Sequence, residues 1–259
     1  MATRPIARRS AGAPPPPRHG FTQRVRIIGG HWRRRLLTFP AADDLRPTPD
    51  RVRETVFNWL GQDLRGLHCL DLFAGSGALG FEAASRGAQR VVMVEQDARI
   101  GRALEACRSA LGVPPEGSRI EIVKADALRF LDREARHPTR DGTRTPDGRF
   151  DVVFLDPPFR LGLLPTLLPR VDACLAPGGW VYVEAPAAVS GATGALEVLG
   201  STAPWATIRQ ARAGAVEYRM LARQADLQQD ANGDSLAAGR DRIIPPRPNT
   251  SAPAPRGAP

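Results

Sequence analysis

The chain has 259 residues, 42% of them hydrophobic, and a formal net charge of +9, with a pI near 10.9. This is material for one substantial core with tails rather than two large domains, and the basic balance favours a polyanionic partner, nucleic acid first. Three cysteines without a C-x-x-C pair and four unclustered histidines indicate neither a disulfide framework nor a metal site, and no stretch is apolar for long enough to span a membrane, so a soluble protein of a reducing, cytoplasmic compartment is expected.

Residues 1–23 carry four consecutive prolines and several arginines but no acid, a composition expected to stay disordered. From 24 to 39 the pattern predicts a β-hairpin whose turn uses Gly29 and Gly30. Its second strand is expected to carry Arg33, Arg34 and Arg35 beside Trp32. Such a run is by itself a solvated face; in a chain that modifies a nucleobase it becomes a phosphate contact. His31 is read as structural. Thr48 followed by Pro49 predicts a helix start, with Val52, Val56, Trp59 and Leu60 forming its apolar stripe. Arg46, Arg51 and Arg53 fall close to that start, and one or more of them is expected to face a ligand cleft or a nucleic-acid backbone.

Residues 69–80 then read as a buried strand, a glycine turn and a helix. Gly75, Gly77 and Gly80 have the spacing G-x-G-x-x-G, which lets the backbone turn tightly and approach a ligand. The next strand ends at Glu95, about 20 residues beyond the first glycine, where a carboxylate accepts from ribose hydroxyls. At this point NAD and S-adenosylmethionine fit equally well. The apolar, β-branched run 150–155 predicts another buried parallel strand, and it delivers Asp156-Pro157-Pro158-Phe159 to the same carboxyl edge. A dehydrogenase has no known need for that tetrad. It resembles the D/N-P-P-Y/F motif of amino methyltransferases, in which two prolines fix the backbone and an aromatic ring offers a face to a planar substrate.

Residues 134–149, broken by proline and glycine, read as a surface loop insertion. Residues 161–175 are helical in pattern, Pro177-Gly178-Gly179 reads as a turn, and residues 180–184 as the fifth strand of the sheet. Residues 205–209 and 215–221 suggest a closing antiparallel pair, and 223–259 a disordered tail.

Taken together, Arg26-Ile27-Ile28-Gly29-Gly30, Arg46-Pro47-Thr48 with Arg51-Val52-Arg53-Glu54-Thr55, Asp71-Leu72-Phe73-Ala74-Gly75-Ser76-Gly77, Glu95 and the Asp156 tetrad resemble the bacterial 16S ribosomal RNA guanine-N2 methyltransferases of the RsmD type over residues 24–222. The resemblance implies a Rossmann-like α/β class I methyltransferase, with a seven-stranded mostly parallel sheet and an N-terminal β-hairpin extension. It implies S-adenosylmethionine as cofactor, and 16S rRNA in the small ribosomal subunit or its assembly intermediate as partner. It places Asp71, Phe73, Ala74, Gly75, Ser76, Gly77 and Gly80 around the methionine part of the cofactor, Glu95 and Gln96 at its ribose, and Asp126 and Ala127 beside its adenine. Asp156, Pro157, Pro158 and Phe159 become the catalytic motif. Monomer is the default, since no oligomerisation signal is evident.

The chemistry of Asp156 leans towards guanine. Guanine shows N1–H and N2–H2 as adjacent donors, which an acceptor-only carboxylate matches, whereas adenine sets an acceptor beside its amine and suits Asn better. A base must leave its stack to reach such a pocket, so a loop or end of RNA is the expected target. A DNA amino-methyltransferase and a non-catalytic RNA-binding assembly factor are the competing readings.

Overall fold

The structure, a computed structural model, describes residues 22–41, 47–114, 119–136, 149–187 and 204–231. Arg46, the tail 1–21, most of the insertion (137–148) and the stretch 232–259 lie outside the described residues, and with them the expectations made for them.

The elements, in order, are β1 (Thr22–Arg26), β2 (Leu36–Pro40), α1 (Asp50–Leu60), β3 (His68–Asp71), α2 (Ala78–Ser85), β4 (Arg90–Glu95), α3 (Ala98–Ala110), β5 (Ile120–Lys124), α4 (Ala127–Arg136) and β6 (Phe150–Leu155). There follow a 3-10 turn (Phe159–Leu161), α5 (Leu164–Cys174), β7 (Leu175–Pro186), β8 (Trp205–Ala213), β9 (Val216–Arg223) and α6 (Gln224–Ala231). Among the described residues, seven strands form one sheet in the order β5-β4-β3-β6-β7-β9-β8, and β1 and β2 form a separate antiparallel ribbon. The first five strands of the large sheet run parallel, and β9 and β8 close it antiparallel. The expected α/β sheet is therefore present, and its chain order reverses between β3 and β6.

Period-two alternation explains the layers. Leu70, Val92, Val94, Val153, Leu155, Val181 and Val183 pack on one face with Phe130 and Leu131 of α4 and Leu167, Leu168 and Val171 of α5. Cys69, Val91, Met93, Val152, Phe154 and Tyr182 pack on the other with residues of α1, α2, α3 and the ribbon. Strands buried on both faces read in the sequence as continuous apolar runs for this reason.

The ribbon is tied down through one buried carboxylate. Glu82 of α2 is fully buried and accepts from Ile28 N at 2.8 Å, Gly29 N at 2.7 Å, Arg53 at 3.2 Å and Arg86 at 2.9 Å. Beyond it, His31 N donates to the Ser85 carbonyl at 2.7 Å and Trp32 N to Ser85 Oγ at 2.9 Å. Gly30 sits at φ +73, and a Cβ there would fall 2.0 Å from the Ser85 carbonyl oxygen. Only glycine passes that point without moving α2.

Several local expectations are corrected. The basic run occupies the connection before β2 rather than a strand: Arg34 has φ 71, and its N–H returns to the Ile27 carbonyl at 2.8 Å. Thr48 does not cap α1; Pro49 holds the N-cap position, without a side-chain cap bond. Pro177-Gly178-Gly179 lies inside β7, where the register against β6 shifts between Phe150 and Val152. The irregularity is stabilised by the Gly178 N–H donating to Asp226 Oδ2 at 2.9 Å. Local composition announces a turn, but a strand pairing on both sides absorbs it as a bulge. Regular structure also continues past the expected start of the C-terminal tail, through β9 to Arg223 and then α6. Likewise α4 runs to Arg136, into the stretch read as an insertion.

Candidate active site

The carboxyl ends of the parallel strands gather the acids. Asp71 ends β3, Glu95 ends β4, and Asp156 follows β6. The strand order reverses between β3 and β6, and in open α/β sheets the carboxyl edge at such a reversal is the usual place for a binding crevice. The glycine turn is built against it: the buried Asp71 accepts from Gly80 N at 2.9 Å. Gly77 adopts a left-handed conformation at the start of α2. A Cβ on Gly80 would lie 2.6 Å from Met93 Sδ, so the third glycine serves helix-to-sheet packing. Glu95 binds the loop back, accepting from Gly75 N at 3.0 Å and Asp97 N at 2.8 Å. Each of its oxygens keeps a lone pair for a further donor. Phe73 is half-buried, Ala74 and Ser76 are buried, and Gln96 is exposed beside Glu95. Asp126 is exposed and accepts from Arg129 N at 3.1 Å, as the cap of α4; Ala127 beneath it is buried.

In the tetrad, Pro157 is buried, Asp156 and Pro158 are half-buried, and Phe159 is 38% exposed at the start of the 3-10 turn. The ring is therefore left exposed instead of filling the core. Asp156 Oδ2 lies 3.5 Å from the hydroxyl of Thr48, which donates to it.

One acid at this edge escapes a motif search. Leu155 pairs with Val183 in register, so Glu184 follows on β7 as Asp156 does on β6, on the same face. Glu184 is buried and accepts from the Tyr182 hydroxyl at 2.6 Å. Its signal in the sequence is positional: both acids come directly after a continuous apolar run of a parallel strand.

Burial dominates the electrostatics. It pushes the Asp71 carboxyl up to about 7, with Asp156 and Glu95 adding repulsion against the stabilising Gly80 N–H. It also pushes up Asp156, where Thr48 works in the opposite direction, and Glu184, where the charge of Asp156 adds to the rise. A cluster of desolvated carboxylates suits a cationic ligand, which restores their ionised forms. The same shifts fix the pH dependence of folding. Asp71 holds a proton in the folded chain above its ordinary value of 3.8, so between about pH 4 and pH 7 unfolding releases that proton and stability falls as pH rises. Urea midpoints of the ligand-free protein should thus drop from pH 5 to pH 7.5, and Asp71→Asn should flatten the slope. A midpoint that rises over that range contradicts this assignment.

The family described as conserved hypothetical protein 95 matches residues 25–222. Ribosomal RNA small subunit methyltransferase D of Escherichia coli is 38% identical over 218 residues, covering 83% of this chain and 98% of that protein. Its Haemophilus influenzae counterpart is 36% identical over 198 residues, covering 76% and 92%. The chain belongs to the RsmD family. Among solved structures, the Escherichia coli methyltransferase yhhF superposes with a TM-score of 0.61 at 37% identity, covering 78% of this chain and 99% of that one. The Thermus thermophilus 16S rRNA N2 G1207 methyltransferase, solved with AdoMet and guanosine, shares the fold with a TM-score of 0.57 at 22% identity, covering 83% of this chain and 53% of that one.

Within this RsmD-family chain the basic residues separate. Arg53 is corrected: its side chain is fully buried between Glu82 and Asp50, at 3.2 and 2.6 Å, and cannot reach RNA. Arg51, two residues earlier, is exposed on α1, and Thr48, just before that helix, touches Asp156. Arg33, Arg34 and Arg35 are exposed elsewhere. Helices that follow parallel strands return to the amino edge of the sheet, and Arg35 donates to the Ala110 carbonyl at the end of α3 at 2.6 Å. The run therefore lies at the edge opposite the acids. There Arg119 stacks over Trp32, 5.0 Å from its ring centre.

Proposed function

We propose that this protein transfers a methyl group from S-adenosylmethionine to the exocyclic N2 amine of a guanine in small-subunit ribosomal RNA. The observation that carries the reading is the placement of Asp156-Pro157-Pro158-Phe159 beside Asp71 at the crevice where the strand order reverses. The names of the RsmD relatives, ribosomal RNA small subunit methyltransferases, support the substrate class.

The chain's residues fit the cofactor. Its sulfonium and ammonium charges match the desolvated acids of the cleft, and its ribose hydroxyls are donors for the remaining lone pairs of Glu95. When bound, S-adenosylmethionine supplies a methyl group on a cationic sulfur. Asp156 and the Pro157 carbonyl accept from the N2 amine, turning its lone pair towards that methyl, and Phe159 stacks on the base. A strong general base is unnecessary, because the amine proton becomes acidic only as nitrogen gains charge. Offering unmodified small-subunit RNA and DNA in parallel tests the substrate class: label is expected in RNA, and label in DNA alone refutes it.

The exposed arginines at the amino edge give the RNA a second contact, away from the reacting base. Phosphate contacts position an RNA without reading its sequence, and they release counterions. Substituting Arg33→Ala together with Arg34→Ala should weaken RNA binding and lower the slope of log affinity against log salt by about 0.7 for each single-strand phosphate no longer neutralised. Cofactor affinity should not change. An unaltered slope places the RNA elsewhere.

A further inference from the structure

The motif Arg46-Pro47-Thr48 with Arg51-Val52-Arg53 suggests RNA contact in the sequence, yet Thr48 and Arg53 turn inward. Arg53 Nε donates to the Thr48 carbonyl at 3.2 Å, and its terminal nitrogens bond Glu82 at 3.2 Å, Asp50 at 2.6 Å and the Arg26 carbonyl at 2.8 Å. A guanidinium without exposure is held in one place by that number of partners. It fixes the Thr48 backbone. Pro47 and Pro49 restrict the chain on either side, with Pro49 at φ -57 and ψ 149. Thr48 is itself 7% exposed, and its hydroxyl meets Asp156 Oδ2 at 3.5 Å.

We infer that Thr48 is a positioning residue for Asp156: anchored by Arg53, it donates to Oδ2 and so leaves Oδ1 to accept from the base. This rests on the reading of Asp156 as the acceptor for the amine. Asp156 faces other acids besides this donor: its charge pushes up the carboxyls of Asp71 on β3 and Glu184 on β7 and the hydroxyl of Tyr182 on β7. Thr48, from the segment leading into α1, supplies a side-chain donor to the ionised form. Hydrogen bonds of this kind are often long before substrate arrives and tighten in the complex. An ionised carboxylate is acceptor-only and the stronger partner for an amine, so the hydroxyl, by favouring that form, supports both orientation and protonation state.

The test is the ionisation of Asp156, followed by carboxyl NMR in the full-length protein, together with the pH profile of methyl transfer to unmodified small-subunit RNA. In Thr48→Val, and in the smaller variant Thr48→Ala, the Asp156 titration and the acid limb of the profile should both move up by about one pH unit. S-adenosylmethionine affinity and thermal stability serve as checks on the fold, and Thr48→Ser should restore the wild-type profile. An Asp156 titration that stays put in either folded variant overturns the inference. A titration that moves as expected in a protein whose Asp156→Ala variant transfers methyl normally leaves Thr48 in place and refutes the role of Asp156 instead.

Discussion

Replacing Asp156 with alanine should lower methyl transfer by about 10²–10³-fold, the scale seen when a preorganised polar group at a reacting centre is removed, while S-adenosylmethionine still binds. The reason for the split is geometric. Asp156 follows β6 and is bonded through its side chain to Thr48, whereas the glycine turn is held by Asp71 and Glu95 from β3 and β4. On the proposed reading, removing the Asp156 carboxylate deprives the amine of its acceptor without loosening that turn. Isothermal titration with the cofactor, alongside labelled-methyl transfer, separates the two effects. Transfer at near wild-type rate would remove Asp156 from the substrate clamp; loss of cofactor binding with it would make the residue part of the cofactor site.

The second large effect concerns folding. Glu82→Ala should destabilise the protein by about 3–5 kcal/mol, the cost of breaking a buried ion pair and leaving its partners unpaired. The substitution strips the acceptor from Arg53, Arg86, Ile28 N and Gly29 N together. Because Arg53 also anchors Thr48, methyl transfer should fall as well, even though Glu82 bonds the ribbon and α1 rather than the cleft acids. Urea unfolding measures the first consequence and turnover in the absence of denaturant the second. A loss below about 1 kcal/mol, the size of an exposed pair, would show that the network does not hold the ribbon.

The residues explain which parts of this fold the sequence discloses. Continuous apolar runs mark β4 and β6 because both sheet faces are buried, and the glycine spacing marks the turn between β3 and α2. The tetrad is legible because two prolines and an aromatic directly after such a run have few structural uses. What depends on distant pairing is not legible. Arg53 resembles a surface arginine until Glu82, 29 positions away, is placed against it. Thr48 before a proline reads as a helix cap until Asp156, 108 positions on, takes its hydroxyl. Glu184 becomes a cleft acid only through the register of β7 against β6. The basic run shows the same limit. Its charge is evident, but its position at the amino edge follows from Ser85 and Ala110, the residues that receive the connection at the ends of α2 and α3.

Whether the carboxyl edge around Asp156 takes a guanine amine is tested most directly by the identity of the methylated nucleoside. The wild-type protein would be given labelled S-adenosylmethionine with unmodified small subunits and with naked small-subunit RNA, and the product digested to nucleosides. N2-methylguanosine is the predicted product, and its yield on the two substrates shows which assembly state is preferred. A methylated adenosine or cytidine, or no labelled nucleoside from a protein that binds the cofactor, would contradict the guanine reading.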